Sequence, residues 1–130
     1  MVEILNPANV KKCLLEAGIG TGGSPLIGFS GYSGNSGTYQ VIATVTVPAG
    51  KKGFLKAISF AADAGSEDRA QFKLVIGTTT WFTDKTCIGG AMLEFDDLVE
   101  LAAGTVVSLY VKSDGVNVIK ANGMITGRVV

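Results

Sequence analysis

The residues able to do chemistry in this chain are few and scattered. It has two cysteines, Cys13 and Cys87, and no histidine. Without histidine, the Ser-His-Asp and Cys-His mechanisms and the commonest general base are missing. A zinc site of the usual kind also loses its ligands, since the cysteines form no CxxC pair. Cys13 falls on the apolar face of a candidate helix and reads as a buried structural thiol. Cys87 follows Lys85-Thr86, and a neighbouring cation lowers a thiol pKa, yet a core or strand-end cysteine suits the position better. Both thiols are expected to be free, in a reducing compartment, unless the folded geometry brings the two together to pair.

The acidic cluster Glu94, Asp96, Asp97 and Glu100 is the best candidate for an ion site. Hard cations need several oxygens converging from a loop, but the spacing lacks the D-x-[DN]-x-[DN]-G pattern of an EF-hand. Paired carboxylates across a cleft can hydrolyse glycosides, but nothing indicates a cleft. A solvated connection is the expectation. Asp63, Glu67, Asp68 and Arg69 read as an exposed turn. Lys51 and Lys52 read as a solvated pair at a corner.

Gly18-Ile19-Gly20 through Gly23 looks like a dinucleotide fingerprint, but no βαβ unit surrounds it. Trp81 and Phe82, with Tyr32, Tyr39 and Tyr110, offer stacking faces for a sugar. A carbohydrate-binding β-sandwich module with its platform around Trp81 is therefore the alternative reading, with calcium at the acidic cluster. No catalytic residue, cofactor or metal is assigned, and an enzyme is not expected.

These groups sit on a chain of 130 residues, enough for one domain with its own core. Eleven basic residues balance eleven acidic ones, which argues against a nucleic-acid or anionic-membrane footprint. Charged residues make up only 17% against 47% hydrophobic, so part of the surface is uncharged. The start, MVEILNPANVKK, lacks the pattern of a signal peptide, and no apolar run is long enough to span a membrane as a helix.

VKKCLLEA, Val10 to Ala17, predicts a short helix. Asn9 can cap it, Gly18 can end it, and Val10, Cys13, Leu14 and Ala17 share a face. It is too short to stand alone and must dock on its own domain or a neighbour. GIGTGGSPLIGFSGYSGNSG, Gly18 to Gly37, reads as an extended arm because apolar residues interrupt the glycine and serine. Residues 1–37 are thus expected to be a helix and arm, and residues 38–130 a β-sandwich.

From Thr38 the chain alternates. Tyr39, Val41, Ala43, Val45 and Val47 are predicted on one face, with Gln40, Ile42, Thr44 and Thr46 on the other. In GFLKAISFAA, Phe54, Lys56, Ile58 and Phe60 oppose Leu55, Ala57, Ser59 and Ala61. Ala70, Phe72, Leu74 and Ile76 share a face, as do Thr105, Val107, Leu109 and Val111. TCIGGAMLEF predicts a strand ending at Phe95, with DDLVELAAG as a connection. About eight strands with regular turns indicate an antiparallel sandwich, and an immunoglobulin-like order uses the same signals. The two Ala-Gly pairs, in PAGKKGFL and LAAGTVVSLYV, mark corners before strands.

VTVPAGKKGFL, DAGSED, LAAGTVVSLYVKSDG and GMITGR together resemble, in layout, small jelly-roll decoration and head-fibre proteins of tailed bacteriophages. The layout is also similar to the trimeric tumour necrosis factor-like jelly rolls. The resemblance covers residues 38–130 and carries over no functional residue. It implies a jelly roll and a non-enzymatic virion protein that decorates or cements a capsid, made in the host cytoplasm. The implied partners are copies of the chain, as a trimer, and the major capsid protein or another virion protein. Leu14, Leu15, Leu26, Ile27 and Phe29 are the expected partner-binding residues.

Overall fold

The computed structural model describes residues 23–130. The expected helix Val10 to Ala17 lies outside them, as do Cys13, Leu14 and Leu15. Among the described residues there is no helix, and so none long and apolar enough to cross a membrane. Eight strands run in chain order: β1 (Ser24–Gly34), β2 (Gln40–Thr46), β3 (Gly53–Ala62), β4 (Gln71–Ile76), β5 (Thr79–Lys85), β6 (Ala91–Leu101), β7 (Val106–Lys112) and β8 (Ile119–Val129). They form two four-stranded sheets, ordered β1-β8-β3-β6 and β2-β7-β4-β5. Every pairing is antiparallel. The described residues are all-β and sandwich-like.

Strict alternation builds the core where nothing interrupts it. In β4, Phe72 and Leu74 are buried with Ala70 and Ile76 beside them, and in β7 Val107, Leu109 and Val111 are buried. Ile58, Ile119 and Ile125 meet them from the other sheet's strands, all within one buried cluster. Phe60 of β3 reaches Phe72 at 4.7 Å between ring centroids and Phe82 at 5.5 Å, so aromatic packing fills the β5 side of the core.

Bulges change the expected faces elsewhere. In β2 the register shifts between Val41 and Ala43. An extra residue there reverses the parity, so Ile42 and Ala43 are both buried and Val41 is exposed. In β3 the shift falls between Leu55 and Ala57. Leu55, Ile58 and Phe60 therefore point inward, instead of Phe54, Lys56, Ile58 and Phe60 sharing a face.

Two segments form strands where none was expected. Ser24–Gly34, placed in the arm by its glycine and serine content, pairs with β8 along its whole length, Ser24 opposite Val129 and Gly34 opposite Ile119. The sheet supplies its neighbours, and Leu26 supplies its core anchor. β6 does not stop at Phe95 but continues to Leu101.

The two Ala-Gly corners meet each other. Gly50 and Gly104 both have positive φ, 74° and 82°, where a side chain is strained. Val47 donates to the Thr105 carbonyl at 2.9 Å, and Gly104 donates back to the Val47 carbonyl at 2.9 Å. The echo in the sequence is thus one hydrogen-bonded end of the sandwich. Along one flank β1 lies against β2, and a Cβ on Gly28 would sit 2.4 Å from the Thr44 carbonyl oxygen. Only glycine permits that approach.

Phe72 is the largest fully buried side chain. Phe72→Ala should cost about 3–5 kcal/mol of stability through lost burial and the cavity left behind. Chemical denaturation of the purified variant reads this as a lowered midpoint.

Candidate functional site

The acidic cluster is dispersed. β6 carries Phe95 to Leu98 where β3 has only Lys56, since Leu55 faces Val99 and Ala57 faces Glu94. Asp96 and Asp97 take positive φ, 47° and 62°, to turn this bulge. Asp97 meets Arg128 Nε at 3.3 Å, and the guanidinium lies 4.5 Å from the Phe54 ring centroid. Glu100 pairs with Lys52 at 2.8 Å. Glu94 and Asp96 are exposed. Among the described residues no group of three or more His, Cys, Asp or Glu is placed to hold a metal.

The aromatic residues do not share a platform. The register of β5 against β4 shifts between Leu74 and Val75, leaving Trp81 as an extra residue. Trp81 is 47% exposed and meets Phe95 edge-on at 5.5 Å, while Phe82 packs inward against Phe60. Tyr32 accepts the Ser36 N–H at 3.0 Å. Cys87 is half-buried against the core. Glu67 accepts from the Gly89 N–H, tying the expected turn at residues 63–69 to the β5–β6 loop.

Tyr39 and Tyr110 belong to a cluster that the sequence did not reveal, on the outer face of the β2-β7-β4-β5 sheet. Their rings meet edge-on at 6.4 Å. Lys73 Nζ lies 4.9 Å from the Tyr39 centroid and 4.8 Å from the Tyr110 centroid. Lys112 lies 4.7 Å from the Tyr39 centroid and 3.1 Å from the Asp84 carboxylate. The Tyr39 hydroxyl donates to the Asp84 carboxylate and accepts the Asp84 N–H at 2.8 Å. These bonds, Tyr39 first and then Lys112, hold the Asp84 carboxyl below its ordinary value. The groups satisfy one another, and Asp84 sits at φ 55° in a second β5 irregularity. The cluster ties the edge strand β5 across β4 to Lys112 of β7 and to Tyr39 just ahead of β2.

The surface with unspent contacts is the outer face of the β1-β8-β3-β6 sheet. Register places Phe29 opposite Met124, Met124 opposite Ser59, and Ser59 opposite Met92, in one row across all four strands. The next row is Ile27, Thr126, Ala57 and Glu94. Phe29 is 74% exposed, Met92 63%, Ile27 56% and Met124 41%. Beside the row lies an open depression of about 380 Å³ formed by Ser59, Ala61, Gly89, Gly90, Met92 and Asn122. Contiguous exposed apolar residues on a soluble domain mark interaction sites.

Of the expected partner-binding residues, Ile27 and Phe29 lie on this face, and Leu26 alternates with them into the core. Leu14 and Leu15 lie outside the described residues. Met92 and Met124 went unnoticed because they share the face only once β3, β6 and β8 are paired. Their outward parity within alternating strands was the available signal. No protein-family model, curated protein or solved structure matches the chain.

Asp84 and Asp114 both have lowered carboxyl pKa values. Asp114 owes its shift first to the Asn117 N–H, which donates to it, and then to the Asn117 side chain. A carboxyl depressed in the folded state stabilises fully above its unfolded value of about 4, and that stability is lost as pH falls through the folded value. The parent should therefore melt at steadily lower temperature below about pH 4. A variant combining Asp84→Asn and Asp114→Asn should show a flatter profile there, measured by circular dichroism melts across the acid range.

Proposed function

We propose that this chain is a non-enzymatic structural subunit of a virus particle, a decoration or cementing protein that works through protein–protein contacts. The observation that carries the reading is the uncharged row Phe29, Met124, Ser59 and Met92 on an exposed sheet face. A protein that spends its few charges elsewhere and leaves such a row in solvent has a surface suited to another protein.

The strand pairing supports a jelly roll. β1 pairs β8, β2 pairs β7, β3 pairs β6 and β4 pairs β5. That nesting is one long hairpin wrapped into two sheets, and the eight-stranded jelly roll with its two Greek keys has this form. An immunoglobulin-like sandwich has seven or nine strands in a different order. The layout resemblance to phage decoration proteins agrees with the pairing.

The proposed partners are further copies of the chain, as a trimer, and the major capsid protein or another virion protein. Nucleic acid and membrane are not proposed partners. The segment from Val2 to Tyr32 is the proposed capsid contact, and residues 1–22 are the part of it that can be removed without cutting β1.

Size exclusion with light scattering should give three times the chain mass for the parent. A chain lacking residues 1–22 should keep its melting transition but no longer co-sediment with particles of the virus that carries it. A parent that is monomeric at every concentration overturns the self-association. Full co-sedimentation of the truncated chain overturns the assignment of residues 1–22.

A further inference from the structure

We infer that copies of this chain join flank to face. The β5–β6 flank of one copy, led by Leu98, packs on the β1–β8 half of the outer sheet face of the next, around Phe29 and Met124. The inference rests on the self-association proposed above and specifies its geometry.

The two surfaces lie at opposite edges of one sheet, since β1 is one edge and β6 the other. Their shapes differ. The face is a paired sheet surface on which Phe29 stands opposite Met124, with Gly31 opposite Asn122 alongside. The flank projects, because β6 inserts Phe95 to Leu98 opposite one residue of β3. Leu98 is 88% exposed at the end of that insertion, the most exposed large apolar side chain among the described residues. The insertion is braced from inside. Phe95 is buried beneath Trp81, and Asp97 is held by Arg128. An apolar side chain on a braced projection loses little freedom when it docks, which favours its use as an anchor.

Charge selects the partner surface. Asp97 and Glu100 of β6 are paired within the chain to Arg128 and Lys52, which leaves Glu94 and Asp96 exposed, while β1 and β8 carry no carboxylate and β8 exposes Lys120. Flank against flank, as a two-fold axis would place them, sets Glu94 and Asp96 against their own copies. Flank against face avoids that repulsion and brings acidic residues toward a surface free of them. Strand addition at β6 is blocked, since its bulge breaks the row of edge hydrogen-bonding groups. A contact between two different patches is heterologous, and it closes into a ring when the rotation permits. In a closed ring each copy buries both surfaces.

The test uses the full chain with Phe29→Asp, which spoils the face, and Leu98→Asp, which spoils the flank. Both side chains are exposed, so both variants should keep the parent's β-sheet circular dichroism and a cooperative melting transition, which is checked first. Each alone should run at monomer mass where the parent is assembled. Mixed in equal amounts, they should form a species of twice the monomer mass, because the intact flank of one meets the intact face of the other. Either variant remaining fully assembled overturns the inference. So does a mixture that stays monomeric, the outcome for an interface joining like patches. A monomeric parent overturns the self-association itself, and only assembled parent with unresponsive variants or mixture refutes the flank-to-face geometry alone.

Discussion

The ladder between the first and last strands, β1 and β8, is the constraint on which the rest of this molecule depends. It runs from Ser24 opposite Val129 to Gly34 opposite Ile119 without a register shift. Two residues hold that register. Leu26 is buried between the sheets, and Gly28 is small enough to lie against the Thr44 carbonyl. A slip of one residue would turn Ile27 and Phe29 inward and Leu26 outward. The ladder therefore seals the β1–β2 flank and builds the apolar face in the same step.

Bulges do the shaping that the ladder leaves undone. One in β2 and one in β3 reverse the parity of the residues beyond them, and the insertion in β6 throws Leu98 outward. Two in β5 bring Trp81 toward Phe95 and place Asp84 beneath Tyr39. Three aspartates, Asp84, Asp96 and Asp97, take the left-handed conformation in β5 and β6, which aspartate tolerates better than most residues. Each is also tied to, or adjacent to, an ion pair with a basic residue two strands away in the same sheet. Irregular edges of this kind resist indiscriminate strand addition, which leaves side chains rather than backbone to make specific contacts.

The legibility of the sequence tracks the bulges closely. β4 and β7 were readable, because Phe72, Leu74, Val107, Leu109 and Val111 alternate without interruption. In β2 the alternation misleads: Val41 and Ala43 match in sequence parity, yet one is exposed and the other buried. β6 read as a strand and a connection, because Asp96-Asp97 is turn chemistry and the turn is real but internal to the strand. β1 read as an arm, because glycine and serine dilute the strand propensity of Ile27, Phe29 and Tyr32 and its order comes from β8. Of the candidate surface, Ile27 and Phe29 were visible as apolar residues in a polar segment. Met92, Met124 and Leu98 were not, nor was the clamp of Tyr39 on Lys73, Lys112 and Asp84.

By itself the sequence determined the class of this protein: all-β strands with corners at Gly50 and Gly104, few charges, and no histidine for acid–base chemistry. These are local properties, because alternation and turn preference act over a few residues. Which strands pair, which side of β1 faces solvent, and where an acidic cluster divides into ion pairs and exposed carboxylates were decided only by the tertiary structure. The reason is that partners lie far apart in the chain. Phe29 meets Met124, and Asp97 meets Arg128, only after the first and last strands have joined in one sheet.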